Sequence, residues 1–341
     1  MRTPTQVVYV SGGRGGDGGP SYAGDAGHGG RGEGPRFEMR HNKISYGLIL
    51  VFCFVYMLMT LLNSMYFNQE DQRKERKTIL EWLSPINFLV RHQELSETRQ
   101  RGTGEWILLH PVFLEWKSTP GKVLWCSGIR ESFNAMSAKI RANIGTASAG
   151  AGKTVLASKI FDHLLTLQLK QDTIGLACIY LNYKDAETQT YKNLLAALWR
   201  QLVINQDMTP AQHLYSERHL KQGVTATLDD IGSLLVALVA QLSQVFIVLD
   251  ALDEYSGDCD ALVQQIQDLG ANIHIIVMTR VHIVPPATLS ILELEITAHQ
   301  EDINTYVIAK LQDRRLKRFL NNNTALQVKI LEQINQTADK M

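Results

Sequence analysis

The run Val245-Phe246-Ile247-Val248-Leu249-Asp250-Ala251-Leu252-Asp253-Glu254 decides the fold of this chain. Its opening apolar residues do not alternate with polar ones, which predicts a short strand covered on both faces, and a carboxylate stands at the C-terminal tip. In an open parallel sheet the strand tips at that end face the crevice where ligands bind. Asp250 is placed to enter a magnesium coordination sphere beside phosphates, small Ala251 lets the turn pack closely, and Asp253 or Glu254 can orient an attacking water. Taken alone, the same run is equally an ordinary buried strand followed by a solvated acidic loop.

A second run, upstream, shifts the balance. ASAGAGKT, Ala147 to Thr154, ends like a phosphate-binding loop, whose pattern is G-x-x-x-x-G-K-[ST]. Backbone N–H groups of such a turn, with the N-terminus of the following helix, face phosphate oxygens. Gly150, Gly152, Lys153 and Thr154 are the candidates here, with the Lys153 ammonium on the terminal phosphates and the Thr154 hydroxyl on Mg²⁺. Lys153 to Leu169 carries Val155, Leu156, Ile160, Phe161, Leu164 and Leu165 at helical spacing. The two motifs stand in the order a triphosphate site requires, with two further strand–helix units expected between them. A third strand, Ile273 to Met278, ends in Thr279-Arg280, where a polar side chain can sense a γ-phosphate.

Around these motifs strand and helix alternate. Gly121 to Cys126 and Ile174 to Leu181 read as buried strands, Thr190 to Val203 and Leu228 to Leu242 as helices, the latter opened by Thr227 with Asp229 and Asp230 in the first turn. The predicted class is α/β, a parallel sheet of the ASCE P-loop NTPase type flanked by helices, followed by the start of a helical domain. Asp71 to Glu97 predicts two short helices around a Ser84-Pro85 break.

The N-terminal part differs. Residues 1–40 are dominated by glycine with scattered charge and predict a disordered tail. Ile44 to Phe67 is uncharged over roughly the twenty residues a bilayer-spanning helix needs. It is read either as a transmembrane helix, with flanking basic residues on both sides that set no orientation, or as translated T-rich intron. The domains expected are therefore 1–40 tail, 44–67 apolar segment, 68–105 helical region, 106–295 NTPase domain and 296–341 start of a helical domain. Zero formal net charge gives no global attraction to nucleic acid, and no nucleic-acid partner is expected. Cys53, Cys126, Cys178 and Cys259 show no paired or metal-binding spacing, which points to a reduced, cytoplasmic chain, or a membrane-associated one where 44–67 spans.

Several runs in order, WLSPINFLVRHQE (82–94), GTGEWILLHPVFLEW (102–116), GKVLWC (121–126), GAGKTVLASKIFDHL (150–164), LACIYLNYKDAETQTYKNLLAALWRQL (176–202), FIVLDALDE (246–254) and IVMTR (276–280), resemble the NACHT domains of fungal signal-transducing NTPases, also described as nephrocystin-3-like N-terminal domains. The resemblance covers most of the chain from about Thr78. It implies a STAND-class switch that binds ATP or GTP with Mg²⁺, hydrolyses it slowly, and self-associates on activation in non-self recognition and regulated cell death. Position by position it implies Gly150, Gly152, Lys153 and Thr154 at the phosphates and Mg²⁺, Asp250 at Mg²⁺, Asp253 and Glu254 in hydrolysis, and Arg280 at the sensor position. Gly102-Thr103-Gly104 then fall where the pre-loop segment nears the base. Such proteins continue into C-terminal repeats, so a truncated chain is expected.

The departure is in the loop. In the family, the strand runs directly into the glycine turn; here Ser127-Gly128-Ile129 supplies the first half and Gly150 onward the second, with Arg130 to Ala149 between. A loop wrapped on one set of phosphates has no room for roughly twenty extra residues. Ala147 is then not the first glycine of the loop; Gly128 is. Arg130-Glu131-Ser132, Ala142-Asn143 and Ser148-Ala149 are encodable as donor, branch and acceptor sequences of an intron, and excision restores Gly-Ile-Pro-Gly-Ala-Gly-Lys-Thr. RNA reads across the junction decide this, and transcripts that always retain the segment would end the intron reading. The competing function is a membrane-anchored interaction protein whose NTPase fold the insertion has inactivated.

Overall fold

The computed structural model describes residues 46–128, 151–280, 282–297, 299–312 and 324–338. The glycine-rich tail, Gly150 and the insertion 130–149 lie outside them. The chain divides into two compact units, Met1–Asp71 and Gln72–Met341.

Helix α1 (Tyr46–Leu83) runs through the end of the first unit into the second. The expected membrane span is not found: among the described residues no helix is long and apolar enough to cross a membrane. The helix also continues unbroken into Glu70, Asp71, Arg73, Lys74, Glu75, Arg76 and Lys77. Only at Ser84-Pro85 does it stop, because proline removes an N–H and clashes with the preceding turn. The break falls as expected, but what precedes it is one long helix instead of a short one.

In the second unit, α2 (Phe88–Thr98) is capped by the Asn87 side chain, α3 (Glu105–Leu109) and α4 (Pro111–Ser118) follow, and α4 opens with proline at the position where its missing N–H costs nothing. The sheet then begins. Strands β1 (Val123–Gly128), β2 (Ile174–Tyr180), β3 (Gln244–Asp250), β4 (Ile273–Arg280) and β5 (Ile291–Ile296) lie in the order β2-β3-β4-β1-β5, every pairing parallel. This is the α/β class expected from the motifs. Strand β1 sits between β4 and β5, so its tip lies beside that of β4 and one strand away from that of β3.

Helix α5 (Ala151–Gln168) packs on β2, β3 and β4, α6 (Tyr191–Leu202) on β2, α8 (Leu228–Val239) on α6, and α9 (Cys259–Gln267) on β4. Between α6 and α8 lies α7 (Thr209–Tyr215), which passes into a π-helical turn, Ser216–Leu220. Capping chemistry is visible in α8, where Thr227 and Asp230 form a reciprocal capping box. Between the two motifs the chain makes one strand, β2, with α6, α7 and α8, where two strand–helix units were expected; the extra helices occupy the place of the second strand.

Strands β2, β3 and β4 are buried along almost their whole length, and Trp116, Trp125, Phe113 and Phe246 are among the largest fully buried side chains. Continuous apolar strands therefore mean what they promised, helices on both faces. Strand β5 departs from this pattern. Its sequence ILELEI alternates, Glu293 and Glu295 are exposed, and it forms the edge beside β1. Beyond it, α10 (Gln300–Leu311) and α11 (Thr324–Ala338) complete the described elements.

Candidate functional site

Four strand ends converge. Gly128 ends β1, Tyr180 ends β2, Asp250 ends β3 and Arg280 ends β4, with Gly128 opposite Arg280 and Tyr180 opposite Asp250 in register. Helix α5 starts at this edge, so Gly152, Lys153 and Thr154 lie in its first turn. Gly152 has open space where a Cβ would stand; at Gly128 a Cβ would meet Lys153 Nζ at 3.0 Å and Lys153 Cδ at 3.3 Å. The lysine therefore folds back over the tip of β1, and a side chain at position 128 would push it aside. The two halves of the expected loop, separated by 129–150 in sequence, thus meet in space through Gly128 and Lys153.

Asp250 is 3% exposed, and its Oδ1 has no hydrogen-bond partner among the described residues. Burial pushes its carboxyl up to about 7, against the downward pull of the Thr154 hydroxyl, which donates to it, and of the Lys153 charge; Asp253 and Glu254 add to the rise. Burial also lowers the Lys153 ammonium from its ordinary range, opposed by Asp253 and Asp250 and reinforced by Arg280. A buried carboxyl with an orphaned oxygen beside a hydroxyl is what a hard divalent cation satisfies. Among the described residues no group of three or more His, Cys, Asp or Glu side chains could hold a metal ion.

After Asp250 the chain turns sharply. Ala251 is in the left-handed region at φ 58°, a conformation that costs an L-residue roughly 1–2 kcal/mol. That kink starts a 3₁₀ turn, Leu252–Glu254, and sends the two acids in different directions. Asp253 goes under the end of β4: its Oδ1 accepts the Arg280 backbone N–H at 3.1 Å and its Oδ2 pairs with Arg280 Nε at 3.1 Å. Glu254 goes toward the end of β2, where its Oε2 accepts the Tyr183 backbone N–H at 3.3 Å, with Arg280 Nη2 at 3.9 Å from Oε1. Thr279 is fully buried, beside Ser127 in register, and its Oγ1 has no hydrogen-bond partner among the described residues.

The segment Gly102-Thr103-Gly104 lies against the same helix. Gly102 and Gly104 both have positive φ, and a Cβ at Gly104 would stand 2.8 Å from Leu156 Cδ2 in α5. The Gly104 N–H donates to both carboxylate oxygens of Asp302 at 2.9 and 3.0 Å, and Trp106 stacks on His299 with centroids 4.1 Å apart, so the start of α10 is tied to the segment before β1.

Two features near the site had no sequence signal. One is the Tyr183 backbone donor on Glu254, since backbone groups are invisible in residue types. The other is a network around Asp162, which accepts from His92 Nε2 at 2.8 Å, from Ser96 Oγ at 2.9 Å and from Arg99 Nη2 at 2.6 Å, while His92 Nδ1 meets the Tyr180 hydroxyl at 2.8 Å. Although burial acts to raise it, these hydrogen bonds win and hold the Asp162 carboxyl down at about 2. The network joins α2, α5 and the tip of β2 with every charge paired, and is a structural brace.

Residues 137–280 match the model of the family described as Nephrocystin 3, N-terminal, about two fifths of the chain. No curated protein matches. Among solved structures, PCH-2 of C. elegans matches at 14% identity over 46% of this chain and 48% of that one, with a TM-score of 0.18, so this chain spans about half its length. The Drosophila ORC bound to AT-rich DNA and Cdc6 matches at 8% identity over 81% of this chain and 87% of that one, with a TM-score of 0.24. The α/β fold rests on the chain's own sheet order, and the family match spans β2, β3 and β4, including the motif-bearing tips of β3 and β4.

Proposed function

We propose that this chain binds a nucleoside triphosphate with Mg²⁺ across the tips of β1, β3 and β4 and hydrolyses it slowly as a switch. The observation that carries the reading is the approach of Lys153 to Gly128 above a buried Asp250 whose free oxygen and Thr154 partner suit a hydrated cation. Lys153 would hold the terminal phosphates, Thr154 and Asp250 would hold Mg²⁺, and Thr279 and Arg280 would face the γ-phosphate. Bound Mg²⁺ would supply neutralisation of phosphate charge. In hydrolysis the water oxygen bonds to the γ-phosphorus, the bond to the β–γ bridging oxygen breaks with its electron pair left on the diphosphate, and one water proton passes to an acid after Asp250 and on to solvent. The resemblance to NACHT domains supports a switch that self-associates when activated, and leaves ATP and GTP as equal candidates.

Lys153→Ala is expected to lose binding of mant-ATP or mant-GTP, and Glu254→Gln to bind but lose phosphate release, read by titration and by a coupled phosphate assay. A wild-type chain that binds neither nucleotide while remaining folded would sink the reading. It would favour the competing one, an interaction protein whose loop is interrupted by 130–149.

A further inference from the structure

We infer that Asp253 is a positioning residue that presents Arg280 to the terminal phosphate, leaving Glu254 as the only one of the two acids able to serve as base. This rests on the nucleotide-binding reading above and divides the work of two acids that neighbour each other in sequence.

Both oxygens of Asp253 are committed to one residue, one to the Arg280 backbone N–H and the other to its Nε, and the carboxylate is 4% exposed. A general base needs a lone pair facing the nucleophile and room for a water at roughly 2.6–3.2 Å; Asp253 has its lone pairs turned toward the end of β4. Its grip holds the guanidinium at Nε, and Nη2 lies 3.9 Å from Glu254 Oε1. Neither terminal nitrogen donates a hydrogen bond among the described residues, and the Arg280 side chain is 42% exposed. An arginine held at Nε, with its terminal N–H groups in no hydrogen bond among the described residues, can offer them to a phosphate. Arg280 also stands opposite Gly128 in register, and the Lys153 ammonium lies against Gly128, so the two cations meet at neighbouring strand tips.

Glu254 contrasts at each point. Its side chain is 27% exposed, one oxygen takes a long backbone hydrogen bond from Tyr183, and the other lies 3.9 Å from Arg280, beyond hydrogen-bond range. That oxygen faces the Arg280 charge without a hydrogen bond and keeps a lone pair for a proton. The strained Ala251 is what separates the acids: a residue in ordinary helical conformation there would not swing Asp253 beneath β4.

The experiment compares the full chain with Asp253→Asn, Arg280→Gln and Glu254→Gln, measuring binding of mant-ATP and mant-ADP, with mant-GTP and mant-GDP in parallel, in Mg²⁺ buffer. The readout is the ratio of triphosphate to diphosphate affinity, which a merely structural loss does not move selectively. Asp253→Asn and Arg280→Gln are each expected to reduce that ratio tenfold or more, to similar values, while diphosphate binding changes less than threefold. Glu254→Gln is expected to keep the ratio and lose turnover. An Asp253→Asn chain that keeps the ratio but loses turnover would overturn the assignment. Where Asp253→Asn does not fold, Arg280→Gln decides, and an unchanged ratio in it overturns the assignment as well. If no variant nor the wild type binds any of the four nucleotides, the underlying nucleotide reading fails first.

Discussion

Replacing Gly128 tests the geometry of the site without touching its charges. A Cβ at that position would stand 3.0 Å from Lys153 Nζ, 3.3 Å from Lys153 Cδ and 3.5 Å from the Ile296 carbonyl oxygen. The backbone of Gly128 is ordinary strand, so alanine or valine brings no dihedral strain, and β1 itself should tolerate either. The nearest obstacle is the end of a flexible lysine, which can move, so the cost to stability is expected to be about 1 kcal/mol or less for alanine. The cost to binding is different. An ammonium pushed off the tip of β1 loses a charge-assisted hydrogen bond to phosphate, worth about 1.5–3 kcal/mol, or roughly 10- to 150-fold in affinity. Alanine needs only a few tenths of an ångström of movement and should fall at the low end; valine, with a branch toward Lys153 or Ile296, should approach the Lys153→Ala value. The assay is titration of mant-nucleotide in Mg²⁺ buffer with thermal unfolding alongside. Because both changes act through one side chain, the Gly128→Val, Lys153→Ala double variant should bind no more weakly than Lys153→Ala alone. A folded Gly128→Val chain with wild-type affinity would refute the placement of Lys153 over the tip of β1.

Two further expectations concern protons. The Asp250 carboxyl, raised to about 7 by burial, binds a proton in the folded chain that the unfolded chain releases near 3.8, so nucleotide-free stability should fall as pH rises from about 4 through 7. Asp250→Asn should abolish that loss, raising stability at pH 8 by at most about 4 kcal/mol, and should remove the effect of Mg²⁺ on nucleotide affinity; thermal unfolding with and without Mg²⁺ checks both. His274 works in the opposite direction. It is fully buried against Trp116 and Phe246, and burial holds its imidazole below the usual range, so the unfolded chain takes up a proton near pH 6.5 that the folded chain refuses. Its contribution is present above that pH and is lost as pH falls below it, and His274→Phe should flatten the acid limb of stability between about pH 6.5 and 5 measured by urea unfolding.

How far the residues alone carry the reading differs from element to element. Strands β2, β3 and β4 were legible because they are apolar without alternation, and their ends differ from expectation by a residue or two. Strand β5 was not, since an alternating edge strand with two exposed glutamates looks like a loop until β1 is there to pair with it. The span expected over 44–67 is not supported either: among the described residues no helix is long and apolar enough to cross a membrane, and from Tyr46 the segment forms part of one helix that continues to Leu83. Likewise Asp253 and Glu254 are interchangeable as letters, and only the left-handed turn at Ala251 separates one toward Arg280 from the other toward Tyr183.

What the sequence determined by itself is the class of sheet and the chemical content of the crevice, because hydrophobic runs and the carboxylates, lysine and glycines at their ends are local properties of the chain. What only the tertiary structure decided is which of those groups meet. Gly128 reaches Lys153 across residues 129–150, and Asp250 faces Thr154 from a strand nearly a hundred residues on. The reason is physical: local residues choose strand or helix through backbone and burial preferences, but the order of strands in a parallel sheet, set by crossovers and by packing on both faces, decides which tips become neighbours.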